Sequence, residues 1–323
     1  MTQVNGRTAE VIPLPRRALN GTVHVRPATV TGPPAPVTEL HPRPAREPGL
    51  LAGAARFLRH RLTGEYPVDD FGFDPELTDA VLMPLLRAIY EKWFRVTVTG
   101  AANLPAGTGA LVVANHSGTL PWDAVMTAVA VHDNHPERKH LRMLGADLVF
   151  KVPVLGSIAR KTGQTLACSS DAQRLLRAGE VVGVWPEGFK GIGKPFGERY
   201  RLQRFGRGGF VTTALRAGVP IIPCSIVGAE EIHPKIADIR PLARLLGLPY
   251  FPITPLFPLL GPLGAVPLPT KWTIDFGEPV RTDLAAPDTD QDHSLVLDMA
   301  EQVRETIQGT LNGMLAARES VFR

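Results

Sequence analysis

Three apolar runs in this chain end in side chains able to move a proton or hold an anion. In the first, Leu111-Val112-Val113-Ala114 gives way to Asn115-His116-Ser117-Gly118-Thr119-Leu120-Pro121-Trp122-Asp123. Imidazole is the side chain that exchanges protons near neutral pH, and a carboxylate within reach of one ring nitrogen fixes its tautomer. His116 and Asp123 therefore form the minimum kit of a general base. A structural histidine at a strand end, followed by an ordinary helix-start aspartate, has the same signature. In the second, Val181–Trp185 leads into Pro186-Glu187-Gly188-Phe189-Lys190-Gly191. An acid, a flexible glycine and a cation in close succession suit an anion cradle, and also a solvated turn. The third, Val219–Val227, precedes Gly228-Ala229-Glu230-Glu231 and reads as a buried strand beside the site. Glu230 and Glu231 are then rim residues or solvated ones, and Cys224 is an inert core thiol.

One motif points elsewhere. Gly188-Phe189-Lys190-Gly191-Ile192-Gly193-Lys194 follows a strand and matches G-x-x-x-x-G-K, the opening of a P-loop. Pro195 stands where the magnesium-holding Ser or Thr belongs, and Pro195 and Gly197 interrupt the helix that should follow. A P-loop-like nucleotide-binding protein is thus the alternative from another class; a third reading is a non-catalytic lipid-binding relative of the family resembled below.

These residues need a scaffold. Runs at Arg95–Thr99, Ala110–Ala114, Leu141–Leu144, Val181–Trp185, Ile221–Val227 and Trp272–Phe276 read as strands. Helical stretches fall at Trp122–Val131, Asp171–Ala178 and Gly208–Ala217, with a final amphipathic helix at His293–Ala317. Strands alternating with helices predict an α/β domain around a mainly parallel sheet, with ligands at the carboxyl ends of the strands. Thr119 is the expected cap of the helix carrying Asp123, with Pro121 in its first turn, where the helix dipole favours a carboxylate. Ahead of this domain, Leu50–Leu62 and Glu76–Phe94 carry apolar residues at helical spacing and form an N-terminal helical pair. Pro84 is expected to kink or break the second helix.

The 323 residues, 44% hydrophobic and 20% charged, suffice for a large core without staples. Residues 1–49 hold nine Pro and six Arg within a composition that cannot offset ordering entropy, and are expected to be a disordered tail. The remaining chain divides into helices at 50–94 and a domain at 95–323. Cys168 and Cys224 are the only cysteines, which excludes a disulfide framework and a Cys-based zinc site and predicts a reducing compartment. No metal is expected. A net charge of +4 is too small to argue for nucleic acid, although it suits an anionic surface. Leu245–Thr270 is uncharged but holds seven prolines, so it cannot cross a bilayer as a helix. It lines the core, or lies at a membrane interface.

The three strand ends, in this order, resemble the glycerolipid acyltransferase superfamily, which includes bacterial 1-acylglycerol-3-phosphate acyltransferase. Asn115-His116 with Asp123 resembles its His–Asp block, and Trp185–Gly191 its Phe-Pro-Glu-Gly-x-Arg-Ser block. Val219-Pro220-Ile221-Ile222-Pro223 resembles its Val-Pro-Ile-Val-Pro block. A further block falls at Gly156–Gly163, with Lys161 where that family often has Arg. The likeness covers roughly Phe94–Glu278. Six residues separate His116 from Asp123 where the family's spacing is His-x4-Asp. That and the Pro-rich segment look more like the branch of mono- and diacylglycerol acyltransferases. The resemblance implies transfer of an acyl group from acyl-CoA or acyl carrier protein to a glycerolipid or lysophospholipid hydroxyl. His116 would be the direct general base and Asp123 its orienter. The turn from Ser117 through Gly118 to Leu120 would receive the oxyanion, and Glu187, Gly188, Lys190 and Lys161 would bind substrate. It implies no cofactor beyond the acyl donor, and a cytoplasmic protein lying peripherally on the inner face of the membrane.

Overall fold

In the computed structural model, which describes residues 50–116, 120–151, 154–282, 290 and 292–323, the runs that end in His116 and Glu187 are adjacent strands of one seven-stranded sheet. The expected tail at 1–49 lies outside the described residues. The strands are β1 (Thr97–Thr99), β2 (Ala110–Ala114), β3 (Leu141–Gly145), β4 (Thr165–Leu166), β5 (Val181–Val184), β6 (Ile221–Val227) and β9 (Thr273–Phe276). Their spatial order is β1-β9-β6-β2-β5-β3-β4. β2 is central, with β5 parallel on one side (Ala110 opposite Val181) and β6 parallel on the other (Leu111 opposite Ile221). Only β9, antiparallel to β6, and β1 beside it run the other way. A short hairpin of β7 (Ala237–Asp238) and β8 (Pro252–Ile253) stands apart.

Period-two alternation sorts the strands' side chains between two cores. Ala110, Val112 and Ala114 face one layer with Ile222, Cys224 and Ile226, while Leu111 and Val113 face the other with Ile221 and Val227. The first layer is closed by α3 (Met83–Ala88) and α4 (Trp122–Asn134). The second is closed by α7 (Ser169–Arg177), α9 (Gly209–Ala217) and α11 (His293–Ala317). Helix α11 buries Val296, Met299, Ala300, Val303, Ile307 and Leu311 at helical spacing, and Asp292 caps it by accepting from the N–H groups of Ser294 and Leu295.

Four local expectations change. Helix α4 begins at Trp122 with Pro121 at its cap position, two residues later than a Thr119 cap would start it; Thr119 itself lies outside the described residues. Pro84 does not stop its helix. After α1 (Leu50–Thr63), the run 75–93 alternates α2 (Pro75–Leu77) and α3 with π-helical turns at Thr78–Leu82 and Ile89–Trp93. The Met83 N–H reaches back to the Thr78 carbonyl, and this wider turn accommodates the ring of a proline that has no N–H to give. Arg95, at φ 47°, is outside β1, and Trp272 precedes β9. The short helices α5 (Asp147–Lys151), α6 (Leu155–Lys161), α8 (Phe189–Ile192) and α10 (Arg240–Leu245) are too brief to show a helical period in sequence. No described helix is long and apolar enough to cross a membrane.

Candidate active site

The carboxyl ends of β2 and β5 meet at His116. Its Nδ1–H donates to Asp123 Oδ2 at 2.6 Å, a bond made across the loop into α4. Asp123 is fully buried, whereas the imidazole keeps 14% of its surface open. One ring nitrogen is thus fixed from inside the protein while the ring reaches the surface. Trp185 flanks the imidazole, with ring centroids 5.9 Å apart. Asn115 is buried and prolongs the β2–β6 ladder with its side chain. Its Oδ1 accepts the Ile226 N–H at 2.8 Å and its Nδ2 donates to the Ile226 carbonyl at 3.0 Å, so the amide acts as an extra peptide unit ahead of the histidine.

From β5 comes the second support. Glu187 Oε1 accepts the backbone N–H of His116 at 2.9 Å, and Oε2 accepts the Gln203 N–H at 2.7 Å. Lys194 Nζ lies 3.3 Å from the same Oε2 and donates to Glu230 Oε1 at 3.1 Å and to the Arg201 carbonyl at 3.2 Å. Two buried carboxylates therefore share one buried ammonium. Burial pushes the Glu230 carboxyl up to about 7, against the opposing pull of Lys194 and with the help of nearby Glu187.

Two glycines are dictated by this packing. Gly188 turns the chain into α8 at φ 55°, ψ −142°, a conformation open in practice only to glycine. A Cβ on Gly191 would stand 2.8 Å from the Cβ atoms of both Glu187 and His116, and 3.0 Å from the His116 carbonyl. The two active strands can meet only because position 191 has no side chain.

The acyltransferase family model matches residues 95–227, the span that contains His116, Asp123, Glu187 and Lys194. An uncharacterized protein of Mycobacterium tuberculosis is 59% identical over 274 residues, covering 84% of this chain and 76% of its own. The chain belongs to the acyltransferase family. It is accordingly an acyltransferase enzyme. A probable 1-acyl-sn-glycerol-3-phosphate acyltransferase of Mycoplasma pneumoniae is 28% identical over 147 residues, 44% of this chain and 52% of its own. The 1-acyl-sn-glycerophosphate acyltransferase of Thermotoga maritima superposes with a TM-score of 0.49 at 18% identity, covering 84% of this chain and 97% of that one.

Within this acyltransferase, His116, Asp123 and Glu187 come together as a bonded unit. Gly188 and Lys190 are exposed beside it, at the start of α8. Lys161 is the exposed last residue of α6, where its carbonyl accepts from the Asp74 N–H at 3.1 Å and ties α6 to the N-terminal helices. Ser117 and Gly118 lie outside the described residues. Three participants went unread in the sequence. Lys194 looked like the lysine of a phosphate loop, but it is turned inward onto Glu187 and Glu230. Glu230 looked like a rim residue, and Asn115 like a mere neighbour of the histidine. A Lys and a Glu each directly bordering apolar, glycine-rich turns were the available signal for a buried pair.

Proposed function

We propose that this acyltransferase works at a membrane surface, moving a fatty acyl group from acyl-CoA or acyl carrier protein to a hydroxyl of a glycerolipid or lysophospholipid. The observation that carries this reading is the Asp123–His116 pair at the surface end of β2. Asp123 holds Nδ1–H, which leaves Nε2 to take the proton of the acceptor hydroxyl. The hydroxyl oxygen then attacks the thioester carbonyl, and the tetrahedral adduct collapses with loss of the thiolate, which recovers the proton from His116. No covalent acyl-enzyme is required. Glu187 acts through the His116 backbone as a positioning residue, and Lys190 and Gly188 are placed to meet the acceptor's head group.

The Mycoplasma relative, a probable 1-acyl-sn-glycerol-3-phosphate acyltransferase, supports a glycerolipid acceptor. The surface supports a bilayer as its source. Leu245, Leu246, Leu248, Leu259, Leu260, Leu263 and Val266 are exposed along the Pro-rich segment, with Leu245 and Leu259 more than four-fifths so (82% and 83%). Exposed Arg240 and Arg244 lie beside them on α10, a pairing of cations with apolar side chains that suits an anionic interface. This segment borders the site: the Lys235 ammonium lies 5.1 Å over the Tyr250 ring and donates to the Gly193 carbonyl, just after α8. Leu120 and Phe189 are also exposed, next to the ends of β2 and β5.

Incubating the full chain with isotope-labelled acyl-CoA, anionic vesicles and a panel of lysophosphatidate, glycerol phosphate, mono- and diacylglycerol tests this reading by lipid mass spectrometry. Labelled ester on one of these acceptors is the expected result. Thioester hydrolysis without any labelled lipid would refute the proposed acceptor class.

A further inference from the structure

At the opposite end of α4 from Asp123, three side chains converge from elements distant in sequence. Asp79 comes from the π-helical turn Thr78–Leu82, His132 from the last turn of α4, and His140 from the residue before β3. Asp79 Oδ1 lies 3.5 Å from His132 Nε2 and 3.4 Å from His140 Nε2, and all three atoms fall within 4.8 Å of one another. The imidazoles stand side by side, with centroids 4.6 Å apart.

We infer that these residues form a binding site for a divalent transition-metal ion of the zinc class, separate from the acyl-transfer site. Two ligand atoms bound tetrahedrally to one zinc, each at about 2.0–2.1 Å, stand about 3.3–3.4 Å apart, close to both Asp79–His separations. Neutral imidazole nitrogens and one carboxylate oxygen are a ligand set for such an ion, with a further position left for water. The surrounding shell fits the same purpose. His132 Nδ1 lies 3.2 Å from Asp133 Oδ1 and 3.3 Å from Arg87 Nη2, so this outer pair orients the ring with Nε2 toward Asp79, and a bound ion would select the tautomer whose Nδ1–H donates to Asp133. Arg87 anchors Asp133 through three contacts of 2.6 to 3.1 Å. Phe73 meets the edge of the His140 ring at 5.0 Å. His132 is buried, His140 is half-buried and Asp79 is exposed, so the site is rigid on one side and open to an entering ion on the other. The ion would tie the N-terminal helical run to α4 and β3. This departs from the metal-free protein expected from sequence.

The test uses the full chain, stripped of metal with a chelator, and then titrated with Zn2+ by calorimetry and with Co2+ by visible absorption. One equivalent should bind, the cobalt form should show the intense bands of a four-coordinate ion, and the thermal midpoint should rise with metal concentration. Asp79→Ala and His140→Ala should each abolish stoichiometric binding, and Asp133→Asn should weaken it about 10–100-fold. His293→Ala, at the exposed start of α11, should bind as the wild type does. Far-UV circular dichroism checks each fold. Should His140→Ala unfold, Asp79→Ala decides, because its side chain is half exposed. No stoichiometric binding to the wild type, or binding undiminished in a folded Asp79→Ala variant, overturns the site. The two carboxylate–imidazole contacts would then be ordinary ion pairs.

Discussion

His116 is held at two points, its ring by Asp123 and its backbone by Glu187, so the two partners should fail differently when removed. Asp123→Asn keeps the shape but puts a donor opposite Nδ1. We predict a fall in kcat of about 10²–10⁴-fold with KM little changed, read from steady-state kinetics. Gly191→Ser forces a side chain between Glu187 and His116. Overpacking of this kind should cost about 1–3 kcal/mol in denaturant unfolding, and displace His116 enough to lower kcat as well. Glu230 gives a signature in pH. Its folded pKa of about 7 lies above the ordinary 4.5, so below 4.5 it is protonated in folded and unfolded chains alike. As pH rises from 4.5 through about 7 the unfolded chain gives up the proton first, and stability falls. The difference in thermal midpoint between wild type and Glu230→Gln, followed across that window, should therefore move in the variant's favour as pH rises. A difference constant with pH would contradict the raised pKa. At this scale His116 and Asp123 were legible because one loop brings them together. Lys194 and Glu230 were not, because their pairing spans 36 residues and depends on β5 and β6 flanking β2.

At the scale of elements, the site exists because β2 is the middle strand and its two neighbours arrive in the same direction. β5 supplies Glu187 on one side, while β6 on the other receives the Asn115 side chain. Asn115→Ala leaves the Ile226 N–H and carbonyl buried without that amide. We predict a loss of about 1–3 kcal/mol in denaturant unfolding, together with lower activity, since the residue next in line is His116. The long strands and the helices α4, α7, α9 and α11 were readable from periodicity. The π-turns around Pro84 and the four short helices were not, since turns of that length leave no repeat to detect.

For the molecule as a whole, the proposed membrane surface is the Pro-rich segment with its exposed leucines. The Pro-rich segment touches the turn that follows α8 through Tyr250, Lys235 and Gly193. The far end of that segment is tied back to the N-terminal helices, where Trp93 Nε1 donates to the Pro267 carbonyl at 3.0 Å and Arg95 to the Pro269 carbonyl at 2.8 Å. Changing Leu259 and Leu263 to Asp should weaken sedimentation with anionic vesicles by about tenfold or more for each leucine that enters the interface. Turnover on dispersed short-chain substrates should fall far less. Composition alone foretold an apolar, uncharged segment, but its proline spacing could not say which side chains would face outward. The most direct measurement is acyl transfer by His116→Ala, compared with wild type at matched circular dichroism, with labelled acyl-CoA and a lipid acceptor. Labelled ester should fall by at least about 10²-fold while the fold is kept. Product formed at the wild-type rate by the folded variant would contradict it.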